Sequence, residues 1–270
     1  MKTVLIFVFS TLAACAALAL PAHGGWTLEQ NLGAEENFLG VSLNTILAWT
    51  CPTPLGNGPL LDAANFKLSA ENSLSPSYEQ FGLTVDIAPL AVFDVALTAN
   101  AITYYSALGY GFYNLGSYSA AFSAAALASL SQGESSGFNF QVKPTLKYAI
   151  GRVDLLDSVT FDWVMVNTST GYFYDRFNCV ILAANDLEIT NNAYVLYDFG
   201  NGVLAGLTDA HLVVQGSGYQ QNWISGIGIW RTSLSPRLDL SAALQAGYWL
   251  EDKYLNGVRF AGQVGVKWRI

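Results

Sequence analysis

The sequence predicts an all-β fold: a closed, up-and-down antiparallel transmembrane β-barrel, with short turns at one rim and longer loops at the other. Three observations predict it. Apolar and polar residues alternate with a period of two, which gives strands two unlike faces and fits helical spacing poorly. Many of the alternating stretches are about 10–13 residues long. Strands of soluble proteins average about 5–6 residues, whereas a tilted membrane-spanning strand needs about 9–11. Finally, short and mostly longer connections alternate along the chain. That is the habit of a membrane barrel, and a Greek-key sandwich has no reason to keep it.

Ten strands follow in order. The first runs near Phe38–Thr50, with Leu39, Val41, Leu43 and Leu47 set against Gly40, Ser42, Asn44 and Ala48. A second, near 80–88, reaches a tight turn at Pro89-Leu90. A third alternates Phe93, Val95, Leu97, Ala99 and Ala101 with Asp94, Ala96, Thr98 and Asn100. The fourth sets Phe138 through Ile150 against Asn139, Gln141, Lys143, Thr145 and Lys147. Noisier strands occupy 156–166, 187–198, 203–214 and 220–231, with turns at Gly151-Arg152, at Phe199-Gly200-Asn201-Gly202 and at 233–236. Leu238–Tyr248 and Val258–Ile270 complete the set. Twelve strands is the alternative, because Asn65–Glu71 can form part of an extra hairpin. Longer links fall at 51–79, 106–137, 167–186, 215–219 and 250–257.

Backbone groups in hydrocarbon must be paired within the protein, so the sheet must close on itself. The last strand is expected to close the ring against the first, near Phe38–Thr50. Its greasy face then meets lipid, and the face with Arg259, Lys267 and Arg269 lines the lumen. Trp49, Tyr104, Tyr105, Phe138, Trp223, Tyr248 and Trp249 are expected in one aromatic belt, Trp230 and Trp268 in the other.

Residues 1–24 read as a secretory signal peptide: one lysine, an apolar run, then small residues. Residues 25–36 are then a periplasmic segment, and 37–270 the barrel domain. Leu12-Ala13-Ala14-Cys15 also has the form of a lipobox, which would lipidate Cys15. After the signal there is no apolar run of 18 residues, hence no helical span. The chain is 52% hydrophobic and only 12% charged, with a formal net charge of −8. That balance speaks against nucleic acid as a partner and leaves membrane lipid as one. Cys51 and Cys179 are a possible disulfide, tying two outer loops, or two separate thiols.

A resemblance rests on particular segments. Trp268 third from the end and apolar Ile270 last resemble the closing strand of bacterial outer-membrane barrels, although that family more often ends on an aromatic ring. GLTVDIAPLAVFDVAL and PTLKYAIGRVDLLDSVTFDW are similar to porin-like outer-membrane proteins of Gram-negative bacteria. The resemblance implies a barrel fold and an outer-membrane location, and it supplies no functional residues.

The lumen-lining set expected from alternation is Asp86, Asp94, Lys143, Lys147, Asp239, Arg259, Lys267 and Arg269, joined by Asn100, Asn139, Gln141, Asp162, Asp209, Gln245 and Gln263. Charges of both signs inside a narrow ring imply ion pairs. Ser117–Gln132 is alanine-rich and can form a helix that caps the mouth or plugs it. Asp209 and His211 share one strand face, and an Asp can orient a His for general-base work. The pair resembles the Asp-x-His of ten-stranded outer-membrane proteases, but no facing pair of acids accompanies it. Zinc-type spacings and nucleophile elbows are absent from the sequence, so no metal and no cofactor is expected. The readings left open are a porin-like small-solute channel or filled structural barrel without enzymatic chemistry, a hydrolase using Asp209 and His211, and a protein that binds partners through its outer loops.

Overall fold

Pairing accounts for every edge of the main sheet. The structure is a computed structural model; it describes residues 24–35, 40–53, 58, 60–61, 63–105, 111–120, 124–130, 132–175, 178–251 and 257–270. Its elements are β1 (Gly25–Glu35), β2 (Gly40–Pro52), β3 (Asn65–Leu74), β4 (Tyr78–Leu90), β5 (Phe93–Tyr104), β6 (Asn114–Leu115), α1 (Ala124–Ala128), β7 (Ser135–Ile150), β8 (Val153–Val166), β9 (Tyr172–Asp175), β10 (Val180–Ala183), β11 (Asn185–Gly200), β12 (Val203–Val214), β13 (Tyr219–Ser235), β14 (Leu238–Glu251) and β15 (Val258–Arg269). Twelve of the strands form one closed antiparallel ring in the order β1-β15-β14-β13-β12-β11-β8-β7-β5-β4-β3-β2. The other three form a small sheet, β10-β9-β6.

The ring therefore has twelve strands, the alternative count, and not ten. Asn65–Leu74 is a full strand. So is Gly25–Glu35, which the sequence reading assigned to a periplasmic segment. Both strands alternate, but Gln30 and Asn72 interrupt their apolar faces. β15 closes against β1, from Thr27↔Arg269 to Glu35↔Ala261, and Phe38–Thr50 is not its partner. At a tilt near 40°, two further strands widen the backbone cylinder from roughly 10 to roughly 12 Å in radius.

One added strand at the start also reverses the direction expected for β2. β2 ends at the rim where β1 begins and β15 ends, together with the turns at 91–92, 151–152, 201–202 and 236–237. Cys51 and Trp49 lie at that inner rim, whereas Cys179 lies in a link at the opposite, outer rim. Of the two alternatives, the disulfide is thus excluded by the length of the barrel, and neither Cys51 nor Cys179 is disulfide-bonded. Residues 1–23 fall outside the described residues, and with them most of the signal segment and Cys15.

The exterior is the apolar face. Phe140, Leu244 and Val264 are 42%, 73% and 55% exposed, and Phe138, Leu146, Tyr148 and Ile150 share the outward face of β7, which runs toward the inner rim. Rings collect on the outside near the inner rim: Trp230, Tyr148, Tyr197 and Phe199 are exposed there, and Trp49 meets Phe66 edge-on at 6.3 Å. The turn at 201–202 is built for tightness. Gly200, Asn201 and Gly202 all take positive φ (83°, 53°, 77°). A Cβ on Gly202 would sit 1.9 Å from the carbonyl oxygen of Arg231, so only glycine fits there.

Candidate functional site

The lumen is the candidate site, and alternation builds it strand by strand. From β5 and β7 come Asp94, Lys143 and Lys147, joined from β4 by Asp86. Lys147 forms an ion pair with Asp94, whose side chain is buried. β14 and β15 bring Asp239 and Arg269 together in a second pair, and Lys267 lies 3.9 Å from Glu29 of β1. Asp162 accepts hydrogen bonds from Asn139 (2.9 Å) and Gln141 (2.8 Å). Glu29 is a partner that the sequence reading missed because it lay in the segment taken as periplasmic.

Cavities follow this polar wall. One of about 660 Å³ lies toward the inner rim and is lined by Glu29, Arg231, Asp239, Gln263, Lys267 and Arg269 among others. A second of about 320 Å³ lies beside Asp86, Asp94, Lys143 and Lys147. A third, about 280 Å³, sits among Asn44, Glu71, Gln80, Thr84, Asn100 and Gln141. The lumen of a twelve-stranded ring is therefore only partly filled by its own side chains, unlike the mostly filled lumen expected of ten strands.

The outer end is different in kind. There the inward residues turn apolar: Ile102 and Tyr104 of β5, Val164 and Val166 of β8, Leu212 and Val214 of β12. They receive one face of the small sheet. Residues alternate in a strand, so Phe112, Phe173, Val180 and Leu182 share that face, and Phe173, Val180 and Leu182 are wholly buried. Phe173 stacks on Phe112 at 5.4 Å and lies 6.3 Å from Tyr104. The other face carries Tyr113, Leu115, Tyr174 and Ile181, covered by Leu127 of α1. Polar clasps add to the packing. Tyr118 Oη donates to Asp186 Oδ2 at 2.7 Å, Asn178 donates to Glu188 Oε2 at 3.0 Å, and Gln221 donates to the Cys179 carbonyl. The described residues of the links 105–134 and 167–184 thus fold into the barrel's mouth as a plug. Among the described residues of Ser117–Gln132, Ala124–Ala128 are helical, and that helix backs the sheet.

Among the described residues, the packed clusters of the plug draw on β4, β5, β8, β12 and β13, and no residue of β14, β15, β1, β2 or β3 belongs to them. Toward β14 and β15, Arg259 lies over the rings of Trp223 (4.7 Å) and Trp249 (5.3 Å). These two tryptophans face inward, with Tyr104, so none of the three joins the outer belt expected of them. The belt expectation failed because rings at strand ends serve two purposes here, and end position alone does not distinguish the faces. Trp49 sits at the inner rim, not the outer one.

Asp209 and His211 are also displaced. Asp209 is registered with Ala193 and Ile224, and His211 with Asn191 and Asn222. Those partners lie on the exterior, as does the 58%-exposed Leu207. The inward residues of β12 are Thr208, Ala210, Leu212 and Val214, all buried. Asp209 is therefore not lumenal, because the plug makes this stretch of inner wall apolar. Among the described residues no side-chain hydrogen bond or ion pair joins Asp209 to His211, and no group of three metal-ligating side chains occurs.

A closed antiparallel ring of twelve strands, apolar outside, polar within, whose first strand begins and last strand ends at the short-turn rim, defines a β-barrel of the outer-membrane type. No protein-family model matches the chain, and no curated protein matches it. Among solved structures, the translocator domain of the autotransporter NalP from Neisseria meningitidis aligns with a TM-score of 0.47 at 10% identity, covering 100% of this chain and 96% of that one. The NanC porin aligns at 0.46 and 11%, covering 90% and 100%. The KdgM porin in complex with disordered oligogalacturonate aligns at 0.41 and 9%, covering 90% and 98%.

Proposed function

We propose that the protein is a small-solute channel of the outer membrane of a Gram-negative bacterium, exported by a signal peptide over residues 1–24 and stopped at its outer mouth by a loop-built plug. One observation carries the reading. A polar, cavity-bearing lumen lies beneath a plug whose described residues pack on β4, β5, β8, β12 and β13, so undocking those contacts would extend a path that the cavities already begin. Water and small polar solutes suit a wall of Asn, Gln, Ser, Thr and paired charges. A purely structural barrel has no use for cavities of this size in its lumen.

The test is reconstitution in planar bilayers. The full chain should give small or infrequent conductance steps, and a chain lacking the Tyr172–Ala183 hairpin should give larger, longer ones. Silence from both proteins, each folded, would refute the channel. A second reading has one observation in its favour: an outer cavity of about 570 Å³ lined by Tyr105, Asn114, Glu134, Asn167 and Thr168, which suits a loop-mediated binding role. Loss of partner binding on replacing these residues, with conductance unchanged, would favour that reading.

A further inference from the structure

The exterior of the barrel carries a polar strip that the lumen reading leaves unused. Asp157 of β8, Asn191 of β11, Asp209 and His211 of β12, and Asn222 of β13 all point outward from four neighbouring strands. They are adjacent: Ala193 is registered with both Asp157 and Asp209, and His211 with both Asn191 and Asn222. Asp157 lies four residues above Val153 at the inner rim, roughly 10 Å up a strand tilted near 40°. It is flanked by Leu146, Leu155 and Val159. The strip therefore begins well inside the hydrocarbon layer. The outward face of β14 and β15 at the same heights is Ala242, Leu244, Ala246, Phe260, Gly262 and Val264.

The strip is only partly satisfied within one chain. Asn191 donates to Asp157 Oδ1 at 2.6 Å. Asn222 Oδ1 is buried without a hydrogen-bond partner, and no described residue hydrogen-bonds the side chain of Asp209 or His211. Acyl chains offer nothing to these groups, and two carboxylates repel a phosphate headgroup. What the strip lacks is another strip with acceptors and donors in comparable number. It contains both itself: Asp157, Asp209 and the Asn222 carbonyl accept, while His211 and the asparagine amides donate. A surface of that kind is its own complement under a two-fold rotation.

We propose that this strip is an interface at which two copies of the chain associate within the membrane, their exteriors meeting along β8, β11, β12 and β13. The two-fold axis runs along the membrane normal beside Ala193, so the strip of one copy meets that of the other at equal depth and each offers the other both donors and acceptors.

The test uses the full chain in lipid nanodiscs. Wild type should have twice the chain mass, and a variant carrying Asp157→Leu, Asp209→Leu and His211→Leu should have the mass of one chain, with heat-modifiable gel mobility showing that the barrel still forms. As an independent arm, Ala193→Cys in a Cys51→Ser, Cys179→Ser background should form a covalent dimer on oxidation in native membranes, and Leu244→Cys in the same background should not. A wild type of single-chain mass overturns the proposal, whether lipopolysaccharide is retained on it or not. So does a triple variant of unchanged mass, or equal cross-linking at both cysteine positions.

Discussion

Replacing Phe173 with alanine should loosen the plug without disturbing the ring. The side chain is 0% exposed and packs between Phe112 and Tyr104. Emptying such a site costs about 3–5 kcal/mol where the surroundings cannot collapse. The surface holding the plug is four large side chains, Phe112, Phe173, Val180 and Leu182, each contributing about 1.5–3 kcal/mol of burial before the ordering of two loops is subtracted. One substitution therefore removes a large share of the docking energy. At about 1.4 kcal/mol per tenfold, the undocked population rises by roughly 10²-fold to several thousand-fold. None of the twelve ring pairings involves Phe173, so the barrel should migrate as folded on unheated gels. In planar bilayers the variant should show higher open probability and longer openings than wild type. Unchanged conductance in a folded variant would mean that the plug does not limit passage, and the packing argument would fail.

Other expectations concern charge and topology. Lys147→Met strips the partner from buried Asp94; because Lys147 itself is half-exposed, the loss should be modest, about 1–2 kcal/mol, and the reversal potential in a salt gradient should move toward cation preference. Tyr118→Phe removes the clasp to Asp186, a bond to a charged acceptor worth about 1.5–3 kcal/mol, and should raise open probability less than Phe173→Ala does. Burial, then the bond to Asp186, pushes the Tyr118 hydroxyl above its ordinary range. Its contribution is therefore complete below about pH 10 and lost only as pH climbs through the raised value, so gating by this clasp should be flat from about pH 6 to 9. A membrane-impermeant maleimide applied to whole cells should modify Cys179 and spare Cys51 until the cells are opened, and reductant should leave the gel position unchanged. Labelling of Cys51 from outside would reverse the assigned direction of every strand.

Alternation carried most of the fold because burial in lipid has the same period as the strand. The lumenal positions of Lys143, Lys147, Asp239, Arg259, Lys267 and Arg269 could be read directly from their apolar neighbours. It failed at β1 and β3, where Gln30 and Asn72 put amides on the outer face and shortened the signal. Missing one strand at the start then reversed β2, which misplaced Trp49 and set Cys51 at the outer rim, where a pairing with Cys179 stayed open. The plug was legible only as an alanine-rich loop. Phe112, Phe173, Val180 and Leu182 lie in two separate links, and no local pattern says that β6 and β9 will pair. Asp209 was misread because both faces of β12 are mixed: the inside is apolar where the plug sits, and the outside is polar along the strip.

Closure between β1 and β15 has a consequence for biogenesis. The two strands sit at opposite ends of the described chain, yet they share a ladder from Thr27↔Arg269 to Glu35↔Ala261. A strand made early cannot find its partner until nearly everything else has been synthesised and carried across the inner membrane. Throughout that journey the unfinished sheet has two naked margins, each able to recruit a neighbour's strand. The ladder between β1 and β15 is therefore the one that removes both margins at once, and no shorter piece of the described chain can close the ring.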